Sequence, residues 1–414
     1  MRPFRSLSRP ALGVTIAVPA ARGVYLLFIL SLARVYGASG LADGAFFVAG
    51  VFALVTSAVA SLSEAVLIPA LYRAAASGSD AALLRYMRRY LWLTTVLASA
   101  LALLWLHGRW PSMPRDLSAL CLMPMMAVST AINVARLVSQ GRLLSSQLGH
   151  GLAGIVIVPA VYVWSASQAH IIVLLLGYEA LRWLMTVIMA QRTYLGTAIA
   201  VVSASQRQQL WQAALGQLGS YVVSALPPVI GLYLARGMGH GVVSMLEYIN
   251  RLWSAGTLIF VGYLLYIFNR FNQIREEAGD AAYVQRSVWR MFWFSLCAIP
   301  LAIAACAVLA HVWFSRATWS SVQLQVWIES AALCFLALPA YLVGMIYVRW
   351  ANSALQVRAI FAAVSAYLVA YLLTVSWSYR IGLPGLVMAF VIGQYAQLWV
   401  LSRCVQLTPK AVQS

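Results

Sequence analysis

The sequence predicts an all-α, polytopic membrane protein with about twelve transmembrane helices in two six-helix lobes around a central cavity. Three observations lead there. Of 414 residues 63% are hydrophobic and only 9% charged, and the mean hydropathy is +0.83. A soluble domain carries about 25% charged residues, so this chain has too few to coat a water-facing surface. Apolar runs of roughly twenty residues recur from end to end, each able to cross a hydrocarbon core of about 30 Å. In lipid the backbone must satisfy its own hydrogen bonds, which makes those runs helices.

Hydropathy, broken at charge and Pro/Gly clusters, places spans near 14–35, 44–72, 86–106, 117–140, 148–165, 170–191, 209–236, 241–268, 287–314, 326–349, 357–378 and 383–405. The first follows a basic start, Arg2, Arg5 and Arg9, and is too long for a signal h-region with no small-residue cleavage site. It reads as a retained helix. The second and eighth spans precede the two longest hydrophilic connections, 73–89 and 269–290. Those are equivalent places if the chain is two halves, 1–200 and 201–414. A short repeat agrees: Leu32-Ala33-Arg34, then Gly37 and Phe46, returns as Leu234-Ala235-Arg236, then Gly239 and Tyr248, at constant spacing. Because six is even, the halves share one topology and relate by an axis along the membrane normal, an arrangement that puts a substrate site between them near mid-membrane. Pro69, Pro124, Pro159, Pro227, Pro228, Pro300 and Pro339 fall in or near helix ends, as kinks or architecture. Gly237-Met238-Gly239-His240-Gly241 is a turn between two spans with no strand before it, so it is not a nucleotide loop.

The formal charge of +18 does not mark a nucleic-acid binder. The basic residues, arginine except for Lys410, sit a few at a time in short loops, without the aromatic interleaving of a single-strand groove. With the N-terminus inside, only Arg34, Arg109, Arg115, Arg236, Arg316 and Arg380 fall on the outer side, a bias of about three to one toward the cytoplasm. Both termini are predicted to be cytoplasmic, in a bacterial inner membrane. Cys121, Cys297, Cys306, Cys334 and Cys404 lie in apolar runs, with no CxxC and no metal spacing, so no metal site and no cofactor is expected. A coupling cation or proton is the exception.

Ionisable groups inside a bilayer are costly, and each is a functional candidate. Arg22, Glu64, Glu179, Arg182, Glu247 and Arg251 fall inside spans, and Asp43 lies at the outer mouth of the second. Arg22, midway along its helix, either faces a wet cavity and binds an anion such as a phosphate, or pairs with Glu64 or Glu179. Glu247 and Arg251 lie one turn apart beside Asn250, and form either a self-neutralised pair or a substrate contact through Arg251. Glu179 and Arg182, three apart, read as a structural pair. Glu64 is a coupling-ion site or a partner for Arg22.

Arg22 followed by Ala33-Arg34-Val35-Tyr36-Gly37-Ala38-Ser39-Gly40-Leu41-Ala42-Asp43-Gly44-Ala45-Phe46-Phe47-Val48-Ala49 resembles the start of the MurJ-type lipid II flippases, a family of the multidrug/oligosaccharidyl-lipid/polysaccharide (MOP) superfamily. Their stretch reads approximately A-R-x-F-G-A-S-x-x-T-D-A-F-F-V-A, with an essential arginine upstream where Arg22 stands. Asp43 takes the family aspartate, and Gly44 or a neighbour is an added residue. Glu247-Tyr248-Ile249-Asn250-Arg251-Leu252 is similar to the family's Y-Y-A-D-R-L, with Arg251 as its cavity arginine. Gly382, Gly385 and Gly393 loosely match its twelfth helix. Phe28 and Ile29 replace an Arg-Asp pair, Ser57 and Ala58 a double arginine, and two further helices of the family have no counterpart.

The resemblance implies a non-enzymatic flippase for a polyprenyl-diphosphate-linked saccharide, either lipid II-like or a polysaccharide repeat unit, in contact with membrane lipids. Arg22, Arg251, Asp43 and Asn250 would hold the substrate. Glu64, Glu247, Glu179 and Arg182 would supply coupling or cavity charge. The alternatives are a MATE-like small-molecule/ion antiporter, and a membrane glycosyltransferase or polymerase. The last needs an acidic motif on a sizeable outer loop, where Asp116 is the one clear acid beyond Asp43.

Overall fold

A computed structural model describes residues 9–68, 70, 71, 74, 80–140, 142–163, 167–191, 204–258, 260, 264, 267, 271, 281–314, 319–353 and 356–405. Among them there is no strand. The helices are α1 (Arg9–Tyr36), α2 (Gly40–Leu62), α3 (Asp80–Arg109), α4 (Leu122–Ser139), α5 (Leu143–Val163), α6 (Gln168–Gln191) and α7 (Ala204–Arg236). They continue as α8 (Val242–Leu258), α9 (Ala281–Val308), α10 (Ser321–Phe335), α11 (Leu338–Ser353), α12 (Val357–Ser378) and α13 (Leu383–Cys404). Among the described residues nine helical stretches are long and apolar enough to cross a membrane, with α10 and α11 forming one of them, Ser321–Ala351. Gly23–Tyr36 and Leu148–Val163 are shorter apolar stretches. The chain is an all-α polytopic membrane protein.

Two compact units divide it, Met1–Val222 and Val223–Ser414. In the first, α1 packs along α5 through missing side chains. A methyl at Gly154 would lie 2.6 Å from Val24 Cγ1, and one at Gly151 3.5 Å from Ala21 Cα. Lipid offers helices no hydrophobic drive to associate, so close backbone approach at small residues carries the packing. α2 starts at Ser39, whose hydroxyl accepts from the Ala42 amide at 3.4 Å, with Asp43 in the first turn, where an acid favours the helix dipole. It passes into a π-helical turn, Ser63–Leu67, and there the Ser63 hydroxyl donates to the Ala131 carbonyl of α4 at 3.1 Å.

The hydrophilic connections expected at 73–89 and 269–290 are shorter than hydropathy suggests. α3 already begins at Asp80 and α9 at Ala281. Arg85, Arg88 and Arg89 ride on a helical turn whose other side buries Leu83, Leu84 and Met87 against Val128 and Ala135. Mean hydropathy marks the apolar part of a helix and misses its amphipathic extension.

In the second unit Met291 of α9 joins Leu342, Ile346 and Trp350 of α11 and Leu401 of α13 in a buried core. The break between α10 and α11 falls at Leu336–Ala337, just before Pro339, which has no amide to offer the preceding turn. The Leu336 carbonyl instead accepts the Tyr395 hydroxyl at 3.0 Å. Pro159, Pro227, Pro228 and Pro300 lie inside α5, α7 and α9, whereas Pro124 and Pro339 sit in first turns and Pro69 lies outside the described residues. The repeated block has matching geometry in the two units. Arg34 and Arg236 each occupy the last turn of a helix, Gly37 and Gly239 follow with φ of 61° and 115°, and Phe46 and Tyr248 are buried.

α12 and α13 form a tight hairpin. Gly382 turns the chain with φ 83°, and a side chain at Gly385 would run into the Ser378 carbonyl. At Gly393 a methyl would lie 2.6 Å from the Tyr367 ring and 3.2 Å from its carbonyl. Gly219 of α7 has open space within 4 Å. Gly393→Ala is therefore expected to cost about 1–3 kcal/mol by overpacking, while Gly219→Ala is neutral or stabilising through helix propensity. Thermal unfolding of the two variants in detergent measures the difference, and equal melting temperatures would contradict the tight hairpin.

Candidate functional site

The second unit encloses a cavity of about 460 Å³, within the size range of small-molecule sites. Pro227, Pro228 and Gly231 of α7 form part of its wall, and α8 contributes Glu247, Asn250, Arg251, Trp253 and Ser254. Tyr341 and Gly344 come from α11, Tyr367 and Tyr371 from α12, and Phe390, Gln394 and Gln397 from α13. Gly231 lets α7 approach α12: a methyl there would lie 3.0 Å from the Tyr371 hydroxyl.

One ion pair faces this space among the described residues. Arg251 Nε donates to Glu247 Oε2 at 3.2 Å, one turn along α8. The carboxylate is almost fully buried, at 8% side-chain exposure, while the guanidinium is 31% exposed. The acid thus anchors the base, and of these two cavity-lining groups the base is the more exposed. Trp253 is held by edge-on contacts to Tyr341 (5.5 Å between ring centroids, 72°) and Phe390 (5.4 Å, 83°), and by a tilted contact to Phe335. These fix an aromatic wall, and the side-chain amides of Asn250, Gln394 and Gln397 add donors and acceptors.

The other predicted residues fall in the first unit. Glu179 and Arg182 of α6 pair at 3.2 Å and are mostly shielded. Asp43, partly buried, stands in the first turn of α2 and its amide bonds the Ser39 carbonyl. Arg22 lies in α1 and Glu64 in the π-helical turn after α2, with both side chains outside the described residues. Of the sequence candidates, Glu247, Asn250 and Arg251 meet at the cavity. Sequence reasoning missed its far wall, since Tyr367 and Tyr371 or Gln394 and Gln397 carry no charge to flag them. Their spacings of four and three residues put each pair on one helix face. It also passed over His150, buried in α5. No group of three or more His, Cys, Asp or Glu able to hold a metal occurs among the described residues.

No protein-family model and no curated protein matches the sequence. Solved structures do match along its length. The lipid II flippase MurJ in an inward closed conformation aligns with a TM-score of 0.75 at 15% identity, covering 94% of this chain and 86% of that one. This chain has the MOP-superfamily fold. An inward-facing multidrug-resistance MATE transporter of that superfamily gives 0.72 at 13% identity, covering 95% of this chain and 97% of that one. A MOP transporter from Pyrococcus furiosus, described as having a binding pocket of reversed polarity, gives 0.67 at 14% with 95% of both chains covered. In this MOP fold the cavity and its ion pair belong to the C-terminal unit.

The unequal exposure of the pair makes its two halves unequal in cost. Arg251→Ala strands a buried carboxylate and should destabilise by about 2–3 kcal/mol, below the roughly 3–5 kcal/mol of a fully buried pair because the guanidinium is 31% exposed. Glu247→Gln leaves a guanidinium that still reaches the cavity and should cost less. The double variant Glu247→Gln/Arg251→Gln should recover much of the Arg251→Ala loss. Detergent unfolding curves of the three variants give the order, and a larger loss for Glu247→Gln would reverse the assignment.

Proposed function

We propose that this protein is an alternating-access transporter that moves a polyprenyl-diphosphate-linked saccharide from the cytoplasmic to the outer leaflet of a bacterial inner membrane. The observation that carries the reading is the C-terminal cavity, where Arg251 meets an aromatic and amide-bearing wall. A guanidinium recognises phosphate oxygens. Aromatic faces and side-chain amides suit the faces and hydroxyls of sugar rings. A volume of about 460 Å³ suits the diphosphate and an adjoining sugar, with the long isoprenoid chain left in the bilayer. Arg22, on the position of the family's essential arginine, would supply a second cation, with Asp43 at the outer mouth. No bond is made or broken, so the rate follows conformational exchange.

One observation favours a second reading, a small-molecule antiporter. Glu247 neutralises Arg251, so the described lining carries no net charge and its rings could hold an organic cation. Glu64 or Asp43 would then take the coupling ion.

The test is translocation of a fluorescent polyprenyl-diphosphate saccharide by purified protein in lipid vesicles. Arg22→Ala and Arg251→Ala are each expected to lower the rate at least about tenfold, the effect of losing roughly 1.4 kcal/mol of binding to the moving head group. Full activity in both would sink the flippase mechanism. Resistance to cationic drugs on expression, without lipid translocation, would favour the antiporter.

A further inference from the structure

The first unit holds a buried titratable pair that the proposed transport site does not use. His150 of α5 is 5% exposed and Tyr178 of α6 is 2% exposed. The His150 Nδ1 and the Tyr178 hydroxyl lie 2.9 Å apart. Tyr178 stands ten residues into a 24-residue helix, well away from either end. A histidine inside a span is a functional candidate by default, and it is the side chain whose charge changes near neutral pH.

We propose that His150, through Tyr178, is a reversible proton-binding site whose occupancy is read by α1. The chemistry follows from the ring. In the tautomer protonated on Nε2, the Tyr178 hydroxyl donates to Nδ1. A second proton arriving at Nδ1 turns that nitrogen into a donor, so the hydroxyl must swing round to accept and its own hydrogen needs another acceptor. The phenol that carries this hydroxyl is packed against α1. Its ring stacks on Phe28 (5.2 Å, 7°) and leans on Tyr25 (4.8 Å), both of α1. Gly151, next to the histidine, abuts Ala21, the neighbour of Arg22. The proton site and the helix of the predicted anion-binding arginine therefore meet at one level of the α1–α5 crossing.

Titratable groups on three helices surround the site. Helices α1, α4 and α6 pack against α5. Their titratable groups are Arg9, Arg22, Tyr25, Arg34 and Tyr36 on α1, Arg136 on α4, and His170, Tyr178, Glu179 and Arg182 on α6. Glu179 follows Tyr178 in the chain and is bridged by Arg182 at 3.2 Å. A methyl at Gly149, beside the histidine, would lie 3.3 Å from the Arg182 carbonyl and 3.9 Å from its Cγ. An imidazolium here adds a second cation near Arg182, whose own partner is Glu179.

The site itself stands on this geometry, and only its use as the coupling site rests on the transport reading. Full-length protein in micelles, labelled with 15N at histidine, is titrated by NMR, with His150→Gln identifying the resonance. The ring should titrate reversibly, and Tyr178→Phe, which keeps the ring and removes the hydroxyl, should move its midpoint. Amide hydrogen exchange over residues 20–36, corrected for intrinsic rates, should differ severalfold between the two protonation states in the wild type and lose that difference in both variants. A ring that does not titrate between about pH 4 and 9 overturns the proton site, and an undiminished pH response of α1 in His150→Gln overturns the link. Neither readout needs a substrate, so failure of lipid translocation would count against the flippase and leave the proton site standing.

Discussion

Hydrocarbon gives two helices no reason to touch, and in this protein they touch where a side chain is missing. The α1–α5 crossing closes on Gly151 and Gly154, and α12 closes on α13 at Gly385 and Gly393. The candidate sites of both units rest on such contacts. The first crossing sets Tyr25 and Phe28 against Tyr178. The second sets Tyr367 and Phe390 into one wall of the cavity, and Gly231 brings α7 within reach of Tyr371. Dispersion falls off within an ångström of contact, so these approaches define positions more sharply than the broad apolar faces turned to lipid, such as that carrying Trp289, Trp293 and Phe294.

The fold was largely legible in the sequence because the bilayer imposes one rule on every span. Length and hydropathy located the helices, and the order of spans agrees with the structure down to α13. Helix ends were less legible. The starts of α3 and α9 are amphipathic, and a window average cannot distinguish such a turn from a loop. The internal repeat was legible for a local reason: a helix that stops at Arg34 or Arg236 and turns through Gly37 or Gly239 needs a positive φ, and glycine is the residue that supplies it.

The candidate site was legible only where it carries charge. Glu247, Asn250 and Arg251 stood out because ionised groups are rare in apolar runs. The residues opposite them did not, since a tyrosine or glutamine in a span differs little from its neighbours until the fold brings Tyr367, Gln394 and Trp253 around one space. His150 escaped for a related reason. It is neutral in a formal charge count and sits seven residues into its helix, so only its burial and its bond to Tyr178 distinguish it.

Both described ion pairs are made within single helices, Glu179 to Arg182 and Glu247 to Arg251. This matters before the protein has a tertiary structure. A nascent span leaving the ribosome enters the bilayer one helix at a time, and a charge whose partner lies on a later helix would have to wait for it in lipid. Here each acid meets its base as soon as one turn of α6 or α8 has wound. The chain can thus be synthesised in order without any span depending on one not yet made to neutralise these pairs.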